Sequence, residues 1–247
     1  MRDHALLVTL MARIKTLFPL TLCTALLLFP AQSSHAVLPD DPFVFVKSGN
    51  LIALEAYIKS HQIDLDDVGP DGFTLLITAI RHGNKQIFDY LIQQGVDINK
   101  KASRDRTALM AAIAVDEQIM FQKLLRLGAD VNAFLPIILG NRESIDGYYT
   151  IHITADYEFG HKYFEDLIKQ GADIKQKRNF SIHDTPLSIA IICGNTENIL
   201  KIFELSKTYK VDICDAVSLA AAKSSRNEEI SHIVESKCLN GAYGGNP

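Results

Sequence analysis

Apolar residues in this chain fall into short helical stripes separated by small polar loops. Between Gly83 and Ile92 the apolar positions Ile87, Phe88, Tyr90, Leu91 and Ile92 are spaced as one helix face requires. Gly95, Gly128 and Gly171 each follow such a stripe within three or four residues. That is where a helix-ending, left-handed residue belongs, and Gly adopts it without a Cβ clash. The pattern also repeats. Thr74, Ala79, Leu91, Gly95, Asp97 and Asn99 return as Thr107, Ala112, Leu124, Gly128, Asp130 and Asn132, each pair 33 residues apart. A fixed period of this size predicts one supersecondary unit, copied and stacked. Stacked units expose a long surface, which suits gripping another macromolecule.

The residues that repeat have assignable roles. Thr74, Thr107 and Thr185 stand where a side-chain oxygen can cap a first helix. Ala79, Ala112, Ala155 and Ala190 keep the first helices thin enough for neighbours to approach. Asp41-Pro42 predicts an N-cap with Pro at the first helical position, opening a degenerate first unit. Residues 216–223 and 227–235 predict a closing helix pair with a polar outer side, as a terminal unit requires.

On these motifs the chain resembles the ankyrin repeat. Asp71-Gly72-Phe73-Thr74 matches the family's opening D-G-x-T, and Gly128-Ala129-Asp130-Val131-Asn132 its closing G-A-D-x-N. Thr185-Pro186-Leu187 matches the start of T-P-L-H. Departures are visible. Leu75, Ala108 and Ile151 replace the Pro; Ile77, Met110, Ile153 and Ser188 replace the His, which predicts loss of the family's buried His hydrogen bonds. The resemblance covers residues 38–236 and implies an all-α solenoid of about six helix-loop-helix units. The expected units are 38–69, 70–102, 103–132, 133–175, 176–210 and 211–238, with a flexible tail over 239–247.

The first 36 residues read as a secretory signal. Arg13 and Lys15 form a positive start, residues 17–30 are nearly all apolar, and Ser34-His35-Ala36 offers a cleavage site near Ala36. The apolar run is short for a span, so no stable membrane insertion is expected after cleavage. An exported, periplasmic product follows. Cleavage would remove three basic residues and one acidic residue, moving the net charge from −4 to −6. A nucleic-acid binder needs a basic footprint, and the domain as a whole lacks one. Cys193, Cys214 and Cys238 remain, an odd number in an oxidising compartment. Cys214 and Cys238 share the C-terminal cap and could bridge a 24-residue step; three unbridged thiols is the other reading.

The resemblance implies a protein partner held on the concave side, by loop tips and the exposed faces of first helices. Carried over residue by residue, the candidates are Phe73, Arg81, His82, Arg104, Arg106, Tyr148, Tyr149, Tyr157 and Asp184. Arg and Tyr are enriched at interface hot spots. Phe134 joins them because ten residues are inserted between Asn132 and Thr150, beginning with the apolar run Phe134–Leu139. That insertion reads either as a protruding anchor or as an extra helical turn over the groove. His152, Asp156, Glu158 and His161 crowd together but match no zinc spacing. Asp64-Leu65-Asp66-Asp67 opens like a calcium loop, yet Val68 and Leu75 stand where oxygen ligands belong. Neither a metal, a cofactor nor a catalytic residue is assigned. The resemblance implies a monomeric, non-enzymatic binding protein that protects or modulates a periplasmic enzyme, as in oxidative-stress defence. The alternative is an immunity protein that neutralises a periplasm-acting toxin.

Overall fold

The computed structural model describes residues 41–139, 142–178 and 185–239. The expected signal over 1–36, Asp184 and the tail from 240 onward lie outside them. Six helix pairs follow one another. They are α1 (Pro42–Ser48) with α2 (Leu51–Ser60), α3 (Leu75–Arg81) with α4 (Lys85–Gln93), and α5 (Ala108–Ala114) with α6 (Gln118–Arg126). Then come α7 (Thr150–Asp156) with α8 (Phe164–Lys169), α9 (Pro186–Cys193) with α10 (Thr196–Tyr209), and α11 (Ala216–Ser224) with α12 (Glu228–Leu239). The first helices α1, α3, α5, α7, α9 and α11 pack one on the next in that order. The helix-loop-helix solenoid expected from the sequence is what folds. No helix among the described residues is long and apolar enough to cross a membrane.

Local chemistry places the helix starts. The hydroxyls of Thr74, Thr107 and Thr185 accept from the backbone N–H of Ile77, Met110 and Ser188 at 3.3, 3.4 and 3.3 Å. Asp41 caps α1 by accepting from Phe43 N–H at 2.8 Å, with Pro42 at the first helical position. Each such cap contributes about 1 kcal/mol. Ala79, Ala112, Ala155 and Ala190 are fully buried between stacked first helices. Second helices send Ile87, Phe88 and Leu91, then Phe121 and Leu124, into the same continuous core.

The closing G-A-D-x-N segments join one unit to the next. Asp66 accepts from Asp97 N–H at 3.0 Å, and Asn99 Oδ1 accepts from Asp130 N–H at 2.8 Å. Asn132 Nδ2 donates to the Gly171 carbonyl at 3.4 Å. In four of the described pairs the turn between the helices holds a left-handed residue, which is Gly at Gly49, Gly83 and Gly194. In the third pair Asp116 takes that place, at φ 55°. Its carboxylate accepts from the Tyr163 hydroxyl at 2.6 Å and from Lys162 at 2.5 Å, in the following unit. Burial pushes the Asp116 carboxyl up, but these two bonds outweigh it and hold it below the usual range. The strained residue is kept because it ties the third pair to the fourth.

Three expectations are corrected. The insertion is neither a bare protrusion nor a helical turn. It forms an antiparallel hairpin of β1 (Phe134–Leu139) and β2 (Arg142–Tyr149), pairing Phe134 with Tyr149, Leu135 with Tyr148 and Pro136 with Gly147. The pairing shifts register beyond Pro136, which has no N–H to donate. Second, α12 runs to Leu239, past the expected end near Glu235, because Ile230, Val234 and Cys238 all bury on one face. Third, buried His hydrogen bonding is not lost. The fourth pair supplies it from His152, which reaches the third helical position because Tyr149, not Thr150, caps the helix.

His152 is fully buried. Its Nδ1 accepts from Tyr149 N–H at 3.2 Å, so Tyr149 is the N-cap and Thr150, the expected cap, is the first residue of α7. With Nδ1 accepting, Nε2 carries the hydrogen and donates to the Gln176 carbonyl at 2.7 Å. Both ring nitrogens are therefore committed to backbone.

Candidate functional site

The inner helices and the hairpin together shape a groove. The loop before α5 forms a 3-10 turn at Ser103–Asp105, and β1 packs beside it. The hairpin thus extends the row of loop tips and walls one side of the groove. Met110, Ala111 and Ala114 of α5 and Ile153 of α7 form the floor. Met110 stands at the third helical position, where the family pattern has His, and with Ile153 it makes the floor apolar. Phe73 and Arg81 close one end, and Asp156 and Tyr157 the other. The groove is open on one side and has a volume of about 250 Å³.

Strand alternation decides which hairpin residues face it. Leu135 and Tyr148 are cross-strand partners and both line the groove. Phe134 and Tyr149 are the next pair and point the other way. The Phe134 ring lies 5.1 Å from that of Tyr149, and Tyr149 lies 5.8 Å from His152. One face of the hairpin therefore serves the groove while the other anchors the insertion to α7.

Gly147 permits the pairing. A Cβ there would sit 2.2 Å from the Leu135 carbonyl oxygen and 2.6 Å from the Phe134 ring. Gly147→Ala is expected to open the hairpin while the helix stack stays folded, since α5 and α7 pack directly. Hydrogen exchange would then accelerate at Phe134–Leu139 with little change in α5. Unchanged protection in β1 would contradict this.

Polar groups around the groove are unevenly satisfied. The Arg81 guanidinium lies 4.5 Å above the Phe73 ring. Among the described residues neither Arg81 nor Arg106, both exposed, has an ion-pair partner. Arg178 stacks 4.3 Å over Tyr148 and donates to its hydroxyl at 3.2 Å, fixing that ring from outside. The Tyr157 ring stacks on Phe159 at 5.5 Å. Asp156 accepts from the Cys193 thiol at 3.0 Å. Partial burial, and after it the Asp156 carboxylate, push that thiol up to about 12.

Five of the ten residues predicted from the sequence meet here: Phe73, Arg81, Arg106, Tyr148 and Tyr157. His82 is exposed at the C-terminal end of α3 and does not line the groove. Phe134 and Tyr149 lie on the far face of the hairpin. Arg104 belongs to the 3-10 turn, with its side chain outside the described set, and Asp184 also lies outside it. Leu135, Met110, Ile153 and Asp156 were missed. Reading the insertion as a strand would have found Leu135, two residues from Ile137 and opposite in face to Phe134.

The titratable cluster at His152, Asp156, Glu158 and His161 is dispersed by the fold. His152 is spent on backbone, Asp156 on a thiol, and His161 Nδ1 contacts Glu197 at 3.0 Å. No three His, Cys, Asp or Glu residues among the described ones are grouped as metal ligands. Cys214 and Cys238 are joined by a disulfide, with Cα atoms 5.5 Å apart.

The family model for ankyrin repeats (3 copies) matches residues 43–134, the first three helix pairs. The chain carries ankyrin repeats. The later pairs continue the same stack of first helices. A human ASB11 ankyrin repeat domain, seen in a crystal structure, superposes with a TM-score of 0.61. That match covers 83% of this chain and 84% of the other at 19% identity, which speaks for the shared fold. Ankyrin repeat protein FPV031 of Fowlpox virus (strain NVSL) is 28% identical over 155 residues, 61% of this chain and 43% of that protein. Protein phosphatase 1 regulatory subunit 27 of Mus musculus is 27% identical over 88 residues, 36% of this chain and 57% of that one. The chain spans about half the length of these two relatives.

Proposed function

We propose that this ankyrin protein is a non-enzymatic, exported scaffold that holds one partner protein in the groove between its hairpin and its inner helices, and so modulates a periplasmic enzyme. One observation carries the reading: residues far apart in sequence, Phe73, Arg81, Arg106, Tyr148 and Tyr157, converge on a single concave site. Aromatic and Arg side chains of this kind dominate interface energetics. The murine relative is named a regulatory subunit, which fits a chain that acts through another protein. The Cys214–Cys238 disulfide fits an oxidising compartment and hence the expected export signal.

Capture from a periplasmic extract tests this, with wild type compared to Arg81→Glu/Arg106→Glu. Reversing two groove charges is expected to weaken partner retention at least tenfold, with an unchanged melting temperature because both residues are exposed. Equal retention by both proteins would remove the groove from the reading. Export is checked separately by mass spectrometry of the mature N-terminus, expected at Val37.

A further inference from the structure

The hairpin does more than lengthen the groove, because Leu135 and Tyr148 narrow it into a half-open recess. At about 250 Å³ the space is smaller than the ~300–1,000 Å³ typical of sites for whole small ligands. It exceeds the ~150 Å³ cavity known to admit a benzene ring. One bulky side chain fits. The walls suit an aromatic one. Tyr148 and Tyr157 offer ring faces and edges, and Met110 offers a thioether, which attracts aromatic rings.

Charge sets the context of that side chain. Arg81 and Arg106 stand at the rim without ion-pair partners among the described residues, on a chain whose net charge is −4. The acid on the opposite side, Asp156, already accepts the Cys193 thiol. The groove therefore presents two exposed cations, Arg106 and an Arg81 that rests on the Phe73 ring near Asp71, and a carboxylate partly satisfied from within.

We infer that the hairpin makes a socket for a single aromatic side chain carried on an acidic segment of the partner. Aromatic insertion supplies the buried area, and flanking carboxylates meet Arg81 and Arg106. The inserted hairpin is then a specificity element, since Leu135 and Tyr148 flank the ring. This deepens the scaffold reading and rests on it.

The test uses the full chain and three labelled ten-residue peptides. One has a central Phe flanked by Glu, one a central Ala with the same Glu, and one a central Phe flanked by Lys. Fluorescence anisotropy should show the first binding at least tenfold more tightly than the other two. Arg106→Glu should erase its advantage over the Lys peptide, and Leu135→Ala its advantage over the Ala peptide. Melting curves confirm that both variants fold. Equal binding of the three peptides, or no binding by any, would overturn the socket. If partner capture still depends on Arg81 and Arg106 in that event, the scaffold reading stands alone. Dimers that Arg106→Glu dissociates would assign the site to a second copy. Binding that appears only once residues 240–247 are removed would assign it to the chain's own tail. Either result would displace the proposed occupant.

Discussion

His152→Ala is expected to destabilise the protein by about 3–5 kcal/mol, more than any surface change in the groove. Two backbone groups depend on this ring. Tyr149 N–H loses its acceptor and the Gln176 carbonyl loses its donor. Both groups are half-buried, so each orphan costs about 1 kcal/mol, the low end of the range for a buried one. Removing a fully buried ring also leaves a cavity beneath Tyr149, whose own ring packs against it. The loss falls on a junction, because His152 joins the end of the hairpin to α7 and to the loop after α8. Urea unfolding would measure it, and hydrogen exchange should show the hairpin and residues 173–177 loosening first. His152→Asn keeps an acceptor and a donor on a shorter side chain, so it should recover part of the loss. A change below 1 kcal/mol would mean that the two hydrogen bonds are not holding this junction.

The same residue shows where sequence reading works and where it stops. Periodic features were legible because each repeats a local requirement. Thr74 and Thr107 cap helices three residues upstream of the N–H they accept, and this spacing is visible in the chain. Ala79, Ala112, Ala155 and Ala190 report the close approach of stacked helices through their size alone. His152 is different. Its value comes from Gln176, 24 positions away, and no local pattern announces that contact. Asp116 is a second case. It breaks the Gly pattern of the inter-helix turn, and only Lys162 and Tyr163 of the next unit explain why.

The groove was half legible for a related reason. Phe73, Arg81, Arg106, Tyr148 and Tyr157 sit at positions fixed by the repeat, so their convergence followed from the period. Inside the insertion the period gave no guidance. Phe134-Leu135-Pro136-Ile137-Ile138-Leu139 is continuously apolar, which hides strand alternation, and Pro136 argues against a strand. Its pairing with the polar Arg142–Tyr149 segment, made possible by Gly147, selects the hairpin. Once that pairing exists, Leu135 faces the groove and Phe134 faces away. His82 failed for a simpler cause, since it ends α3 on the solvent side.

Breaking the Cys214–Cys238 bond is expected to cost about 3 kcal/mol, concentrated in the last helix pair. The bond closes a 24-residue step that contains α11 and most of α12. Among the described residues this pair packs chiefly on α9, so in a linear array it has less interface than an internal unit. Ile230 and Val234 anchor α12, and Cys238 pins its last turn to the segment before α11. Cys238→Ser, or reduction with dithiothreitol, should therefore speed amide exchange in α11 and α12 while α3 to α6 keep their protection. Cys193 should not rescue the variant by forming a substitute bridge. Exchange needs a thiolate, and a thiol pushed up to about 12 by partial burial and Asp156 supplies almost none at neutral pH. Asp156→Asn would remove the carboxylate that helps hold the proton, so this change should raise the reactivity of Cys193 toward a disulfide reagent. Uniform loss of protection along the whole stack after reduction would show that the bond stabilises the protein globally, against the local role assigned to it.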